Sequence, residues 1–304
     1  MTSQASQNVW VALWRSMRPA QWQKNLIAYA ALLFSAGSGW DPSDGAEATR
    51  LFGRASIAFA LLCLAASGGY LLNDARDAAA DRLHPVKRLR PVASGLLPVD
   101  GAIAAGLGLI FGALVIATTV SEPLFYTLGA YSVVTLSYSL LLRGIAGLDV
   151  IALAAAFALR AIAGAIAIEV PVSAWLIVCT GLGAAYVVLV KRAQERLLLH
   201  EGAPEHRPSQ RVYGDRGGER GAVVLALLTV TAYAAYTLTA PNLPANHAMV
   251  LTVPLVAFGF VRYAIAARRA PERNADELLA RDHPLLLTVV AFVLTAFAVL
   301  ALAH

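Results

Sequence analysis

The chain has 304 residues, of which 58% are hydrophobic and 14% charged, and it carries a net charge of +5. Soluble domains average about 25% charged residues, so there is too little polar surface here to coat a water-soluble globule of this length. Disorder, a disulfide-stapled secreted scaffold and an ordinary cytosolic enzyme are excluded, and lipid is the expected solvent for most of the chain.

A helix needs about 20 mostly apolar residues to cross a bilayer. Nine such stretches follow one another, at roughly 23–40, 54–73, 100–119, 122–142, 148–168, 172–190, 221–240, 247–266 and 284–303. They are rich in Ala and Gly, as expected where helices pack backbone to backbone in lipid. Ser121, Glu122 and Pro123 mark a tight hairpin, while Pro171, Pro241, Pro244 and Pro284 mark further helix ends. The expectation is an all-α integral membrane protein, a bundle of nine transmembrane helices forming one domain over residues 1–304. The polar first two dozen residues show no apolar region with a small-residue cleavage site, so the first span is expected to be retained. Cys63 and Cys179 lie in apolar runs without metal-ligand or redox spacing and read as small hydrophobes.

Basic residues orient the bundle. With a cytoplasmic N-terminus, every Lys and Arg except Arg50, Arg54 and Arg160 falls in a cytoplasmic segment, which satisfies the positive-inside rule for an odd number of spans. The expected location is the plasma membrane, multi-pass. The two long charged loops, about 74–99 and 191–220, are where chemistry is expected, on the cytoplasmic face. No nucleic-acid partner is expected, and a homo-oligomer is left open.

The second span ends in Asn73, Asp74, Asp77 and Asp81. At 100° per residue the three aspartates fall within about 60° of one another, with Asn73 on the flank. Carboxylates converging at a lipid-embedded helix end repel, and each is costly to bury alone. A divalent cation resolves the conflict, and all-oxygen ligands favour Mg2+ or Ca2+; a solvated acidic helix end is the plainer alternative. The following loop, His84 to Gly95, brings Lys87, Arg88 and Arg90. Metal plus cations beside acids is what a departing diphosphate needs, although a lipid-facing basic loop accounts for some of the charge.

The pattern NDxxDxxxD followed by HPxKRxRPxASG resembles the UbiA superfamily of intramembrane prenyltransferases. The resemblance implies nine transmembrane helices around a central cavity, and Mg2+ held by Asn73, Asp74, Asp77 and Asp81 against a diphosphate. Arg18, Pro19, Trp22, Lys24 and Asn25 resemble the entrance to the family's first helix, which implies that Lys24 and Asn25 lie near the substrate; by themselves the two are equally snorkelling interface groups.

Most members carry a second aspartate-rich motif after span six. Here that place holds Lys191, Arg192 and Glu195. Direct cation-to-phosphate contacts would then replace some metal-mediated ones, although Lys191 and Glu195 at i,i+4 also suit an ordinary helix salt bridge. This departure resembles one branch of the family, the decaprenyl-phosphate phosphoribosyltransferases. So do Leu148–Val150 with Leu159–Ala161, and the ending Asp276–Leu285.

The branch implies that the diphosphate belongs to phosphoribosyl diphosphate, that a polyprenyl phosphate is the acceptor, and that the product serves cell-wall arabinan synthesis. Asp74, Asp77, Asp81, Lys191 and Glu195 are then the expected catalytic residues. Lys24, Asn25, Lys87, Arg88, Tyr138, Arg160 and Arg192 are the expected substrate contacts. Arg160 lies deep in a span, where a charge is a functional hypothesis by default; it is open to contact with a substrate phosphate or to pairing with an acid. Tyr138 and Arg143 read equally as an aromatic-belt residue and a topogenic charge. His200 and His206 show no metal spacing, and Tyr233 with Tyr236 reads as packing. The competing function is an aromatic-acceptor prenyltransferase using a polyprenyl diphosphate donor.

Overall fold

The computed structural model describes residues 2–199, 210–273 and 275–302, with side chains described over 9–195, 217–273 and 277–302. His200 and His206 lie outside the described residues. The structure is helical, and among the described residues there is no β-strand. Helix α1 spans Thr2–Met17 and a 3-10 run spans Pro19–Tyr29. They are followed by α2 Ala30–Phe34, α3 Gly45–Leu83, α4 Val99–Val120, α5 Glu122–Leu140 and α6 Leu148–Ala167. The chain closes with α7 Ala174–Leu199, α8 Gln210–Thr239, α9 Val253–Arg269, α10 Ala275–Arg281 and α11 His283–Leu302.

Seven helices are long and apolar enough to cross a membrane, counted among the described residues by length and composition. Two of the nine expected spans differ in kind. The stretch 23–40 folds as the end of the 3-10 run, the five-residue α2 and turns, because Arg18 adopts a left-handed φ of 54° and Pro19 restarts the chain in a tighter winding. The stretch 122–142 forms α5, whose Thr127, Ser132, Thr135, Ser137 and Ser139 dilute its apolar character.

The second span also grows. Asp44 caps α3 by accepting from the amides of Ala46 and Glu47, and α3 runs for 39 residues until His84 turns extended ahead of Pro85. The NDxxDxxxD motif therefore sits on rigid helix, and the loop begins at residue 84 instead of 74.

Packing is inside-out relative to a soluble protein. Small residues fill the interior: Ala28, Ala55, Ala113, Ala161, Ala163 and Ala165 are fully buried. Large apolar side chains face outward, among them Leu107, Phe111 and Val115 on α4 and Leu287 and Leu294 on α11. A patch that size survives only in lipid, so this is an integral membrane protein. Small residues also set helix spacing. A Cβ at Gly68 would lie 2.5 Å from the Gly106 carbonyl oxygen, and one at Gly164 would lie 1.8 Å from the Ala28 carbonyl oxygen. The first contact joins α3 to α4; the second presses the 3-10 run onto α6.

Candidate active site

The last turns of α3 carry the acids, and their partners divide into two sets. Asp74 and Asp81, 2% and 4% exposed, face the chain's N-terminal segment and the loop after α3. Arg18 donates to Oδ1 of Asp74 at 2.5 Å and lies 5.0 Å over the Tyr70 ring. Arg90 donates through one nitrogen to both acids, at 2.7 Å to Asp81 and 3.3 Å to Asp74. Asp77 and Asn73 face α5 instead. Asp77 receives Arg76 at 2.9 Å and Arg143 at 3.2 Å, while Ser139 donates to Oδ1 of Asn73 at 2.5 Å. Buried carboxylates persist because each meets a guanidinium, whose planar fork suits an oxygen anion.

Arg18 and Arg90, which the sequence offers only as members of the entrance motif and the basic loop, are the cations that meet Asp74. The expected Lys87 and Arg88 sit on a single exposed turn, Lys87–Leu89, and no bond joins either to the acids among the described residues. Lys24 hydrogen-bonds the Gln21 side chain within the 3-10 run.

The second motif has a different character. Arg192 is buried on α7 and holds three partners: Asp149 Oδ2 at 3.1 Å, Glu195 Oε2 at 3.0 Å and the Tyr138 hydroxyl at 3.2 Å. Glu195 thus pairs with Arg192 at i,i+3. Asp149, which the sequence marks only as part of a branch resemblance, is fully buried. The two motifs meet at the end of α5. Tyr138 reaches Arg192, while the adjacent Ser139 reaches Asn73 and accepts Arg76 on its carbonyl at 2.7 Å.

Arg160 lies roughly 16 Å deeper along α6 than Asp149, at 1.5 Å per residue. It donates to Asn25 at 2.8 Å and to Tyr131 at 2.9 Å, and its guanidinium rests over the Tyr131 and Phe157 rings. Asn25 in turn donates to the Cys63 sulfur at 3.2 Å. No acid pairs with Arg160 among the described residues. Arg160 and Asn25 together pin the 3-10 run to α3, α5 and α6. An apolar cleft of about 400 Å³ between α7, α8 and α9 shares no lining residue with the acidic cluster, so chemistry is assigned by the polar groups and not by cavity size.

Mg2+ can be tested against this donor set. Among the described residues no three acidic, His or Cys side chains already converge on a point. Asp74 and Asp81 nevertheless share one cation in Arg90, while Asn73 and Asp77 hold their own partners on the α5 side of the same helix end. Mg2+ takes one or two carboxylates and fills its remaining positions with phosphate oxygens and water, so the residues fit the ion.

The profile of the UbiA prenyltransferase family matches residues 25–288. The chain belongs to the UbiA prenyltransferase family. It is 31% identical to a decaprenyl-phosphate phosphoribosyltransferase of Mycolicibacterium smegmatis, over 96% of this chain and 93% of that protein. It is 28% identical to the protein of that name in Mycobacterium tuberculosis, over 99% and 98%. A solved UbiA homolog from Archaeoglobus fulgidus, bound to GPP and Mg2+, superposes with a TM-score of 0.69 at 20% identity, covering 95% of this chain and 99% of that one. Family membership makes the chain a membrane-embedded transferase, and the fold accords with that of the solved UbiA homolog.

Proposed function

We propose that this UbiA-family enzyme transfers 5-phosphoribose from phosphoribosyl diphosphate to decaprenyl phosphate, releasing diphosphate, at the cytoplasmic face of the plasma membrane. The observation that carries this reading is the second motif. Where a prenyl diphosphate donor would call for further metal-binding carboxylates, Arg192 already occupies the space between Asp149 and Glu195. One acidic cluster then serves one diphosphate, and fixed cations serve the other phosphates. The names of the mycobacterial relatives support the same substrates, and the Mg2+ bound to the archaeal homolog supports a divalent ion.

In this reading Asn73, Asp74, Asp77 and Asp81 are the residues that would hold Mg2+, and the ion would supply charge neutralisation for the departing diphosphate. The exposed Lys87 and Arg88 draw in the donor, and Lys24 and Lys191 meet phosphate oxygens. The C1–oxygen bond to diphosphate breaks as a C1–oxygen bond to the lipid phosphate forms, the electron pair coming from the lipid oxygen. A phosphate monoester is largely ionised at neutral pH, so no general base is required. Tyr138, Asp149 and Glu195 act on Arg192 and hold its orientation. Asn25, Tyr131 and Arg160 keep the 3-10 run, and with it Arg18, at the site. Apolar helix walls receive the polyprenyl chain.

Membranes containing the chain, incubated with ribose-labelled phosphoribosyl diphosphate and decaprenyl phosphate, are expected to yield a labelled lipid. Label appearing in lipid only when a polyprenyl diphosphate and an aromatic acid are supplied would establish the competing prenyl transfer instead.

A further inference from the structure

Among the described residues, two guanidinium groups stand between pairs of carboxylates, and they are built differently. Arg192 projects from a helix, its side chain is 3% exposed, and its partner Asp149 is fully buried. A third bond to Tyr138 completes its surroundings. Arg90 lies in the turn-rich stretch after α3, and its side chain is 33% exposed while Asp74 and Asp81 are 3% and 6% exposed. One nitrogen bridges both acids, and among the described residues Asp81 has Arg90 as its sole side-chain partner. The first cation is set into the bundle. The second reaches in from a solvent-side loop.

We propose that Arg90 is an exchangeable counter-cation, which keeps Asp74 and Asp81 neutralised until a divalent ion arrives together with an anionic diphosphate. The inference rests on the reading that this cluster binds such an ion. A divalent ion arriving alone must displace Arg90 from both carboxylates while Arg18 remains on Asp74, which concentrates positive charge in a partly buried place. An accompanying diphosphate supplies anionic oxygens for the metal and for the released guanidinium, so metal and diphosphate bind with positive coupling. Arg192, without a loop to carry it away, leaves the second motif no place for a metal. The arrangement makes metal loading conditional on substrate.

The test is Mn2+ binding to the purified full chain in nanodiscs, followed by electron paramagnetic resonance with and without inorganic diphosphate. Wild type is expected to bind Mn2+ weakly alone and tightly with diphosphate, at one ion per chain. Arg90→Gln is expected to bind Mn2+ alone about tenfold more tightly than wild type, within the usual range of coupling between sites, and to gain less from diphosphate. Arg90→Lys keeps the charge but not the planar fork, so it lies between the two and provides a second reading should Arg90→Gln fold poorly. Equal Mn2+ affinity in all three forms, with diphosphate-dependent binding still lost in Asp81→Asn, overturns the role of Arg90 and leaves the metal site standing. Absence of Mn2+ binding in every form, even with diphosphate, overturns the metal reading and this inference with it.

Discussion

Arg192 and Asp149 form the most deeply buried ion pair among the described residues, at 3.1 Å with side chains 3% and 0% exposed. The pair joins α6 to α7 where the second motif begins. Removing one partner leaves an uncompensated buried charge, which costs about 3–5 kcal/mol, whereas replacing both with apolar groups is often neutral. Asp149→Asn should therefore lower the thermal stability of the detergent-solubilised protein, and Asp149→Leu/Arg192→Met should recover most of it. A double variant as unstable as the single one would contradict this account of the pair.

Charge at the end of α3 should matter for turnover more than for folding. Asp74→Asn and Asp81→Asn each remove a carboxylate from the proposed metal set, and loss of one charge-stabilising contact typically lowers kcat by on the order of 10²–10³. Circular dichroism is expected to stay helical. Chelation should abolish activity in wild type, with recovery on adding Mg2+.

The deep arginine predicts a structural phenotype. Arg160→Met leaves Asn25 and Tyr131 buried without their donor, and each unsatisfied group costs about 1–3 kcal/mol. Arg160→Lys offers a compact ammonium in place of the fork and should rescue only in part. Comparing unfolding temperatures of the three forms checks this.

Backbone contact between α6 and the 3-10 run gives a sharper mutational result. A Cβ on Gly164 would meet the Ala28 carbonyl oxygen at 1.8 Å, which neither backbone can absorb in place. Gly164→Ala should destabilise by about 3 kcal/mol or more and reduce the yield of folded protein in membranes. Ala substituted at Gly108, where a Cβ meets nothing within 4 Å, is the control and should leave yield unchanged.

Asp282 carries a pH signature outside the spans. It caps α11 by accepting from the Leu285 amide at 3.0 Å and accepts from Nε and Nη2 of Arg262, each at 2.8 Å. The Arg262 hydrogen bond is the main reason its carboxyl is held below the ordinary carboxylate value. A carboxyl depressed on folding contributes stability above its unfolded value, near 3.9, and that contribution fades as pH falls through the lower folded value. Wild type should therefore exceed Asp282→Asn in melting temperature by a constant amount at pH 5–8, and the gap should close below about pH 4. A gap that persisted in acid would rule out the ion pair as its source.

Much of this architecture is written in residue spacing, and the exceptions have physical causes. Hydropathy located the helices that became α4, α6 and α11 because their length and lipid exposure are one property. It stopped at residue 73 in α3, since the acids that follow lower any apolar average although the helix continues to Leu83. Helical periodicity put Asp74, Asp77 and Asp81 on one flank, yet it carries no information about which neighbour each acid meets. Lys87 and Arg88 stood out as an adjacent pair, but Arg90 is the residue that meets Asp74 and Asp81, and which of three neighbouring loop cations turns inward is decided by tertiary contact with α3. The role of Asp149, marked in the sequence only by a branch resemblance, was hidden for a related reason: a single acid at a helix start looks like a cap until α7 brings Arg192 beside it.

The central claim is a reaction, and stoichiometry tests it most directly. Purified protein supplied with Mg2+, labelled phosphoribosyl diphosphate and decaprenyl phosphate should release one diphosphate for each phosphoribose recovered in lipid, with neither product formed when the lipid phosphate is omitted. Diphosphate released without labelled lipid, or an isoprenoid transferred from a polyprenyl diphosphate under the same conditions, would contradict it.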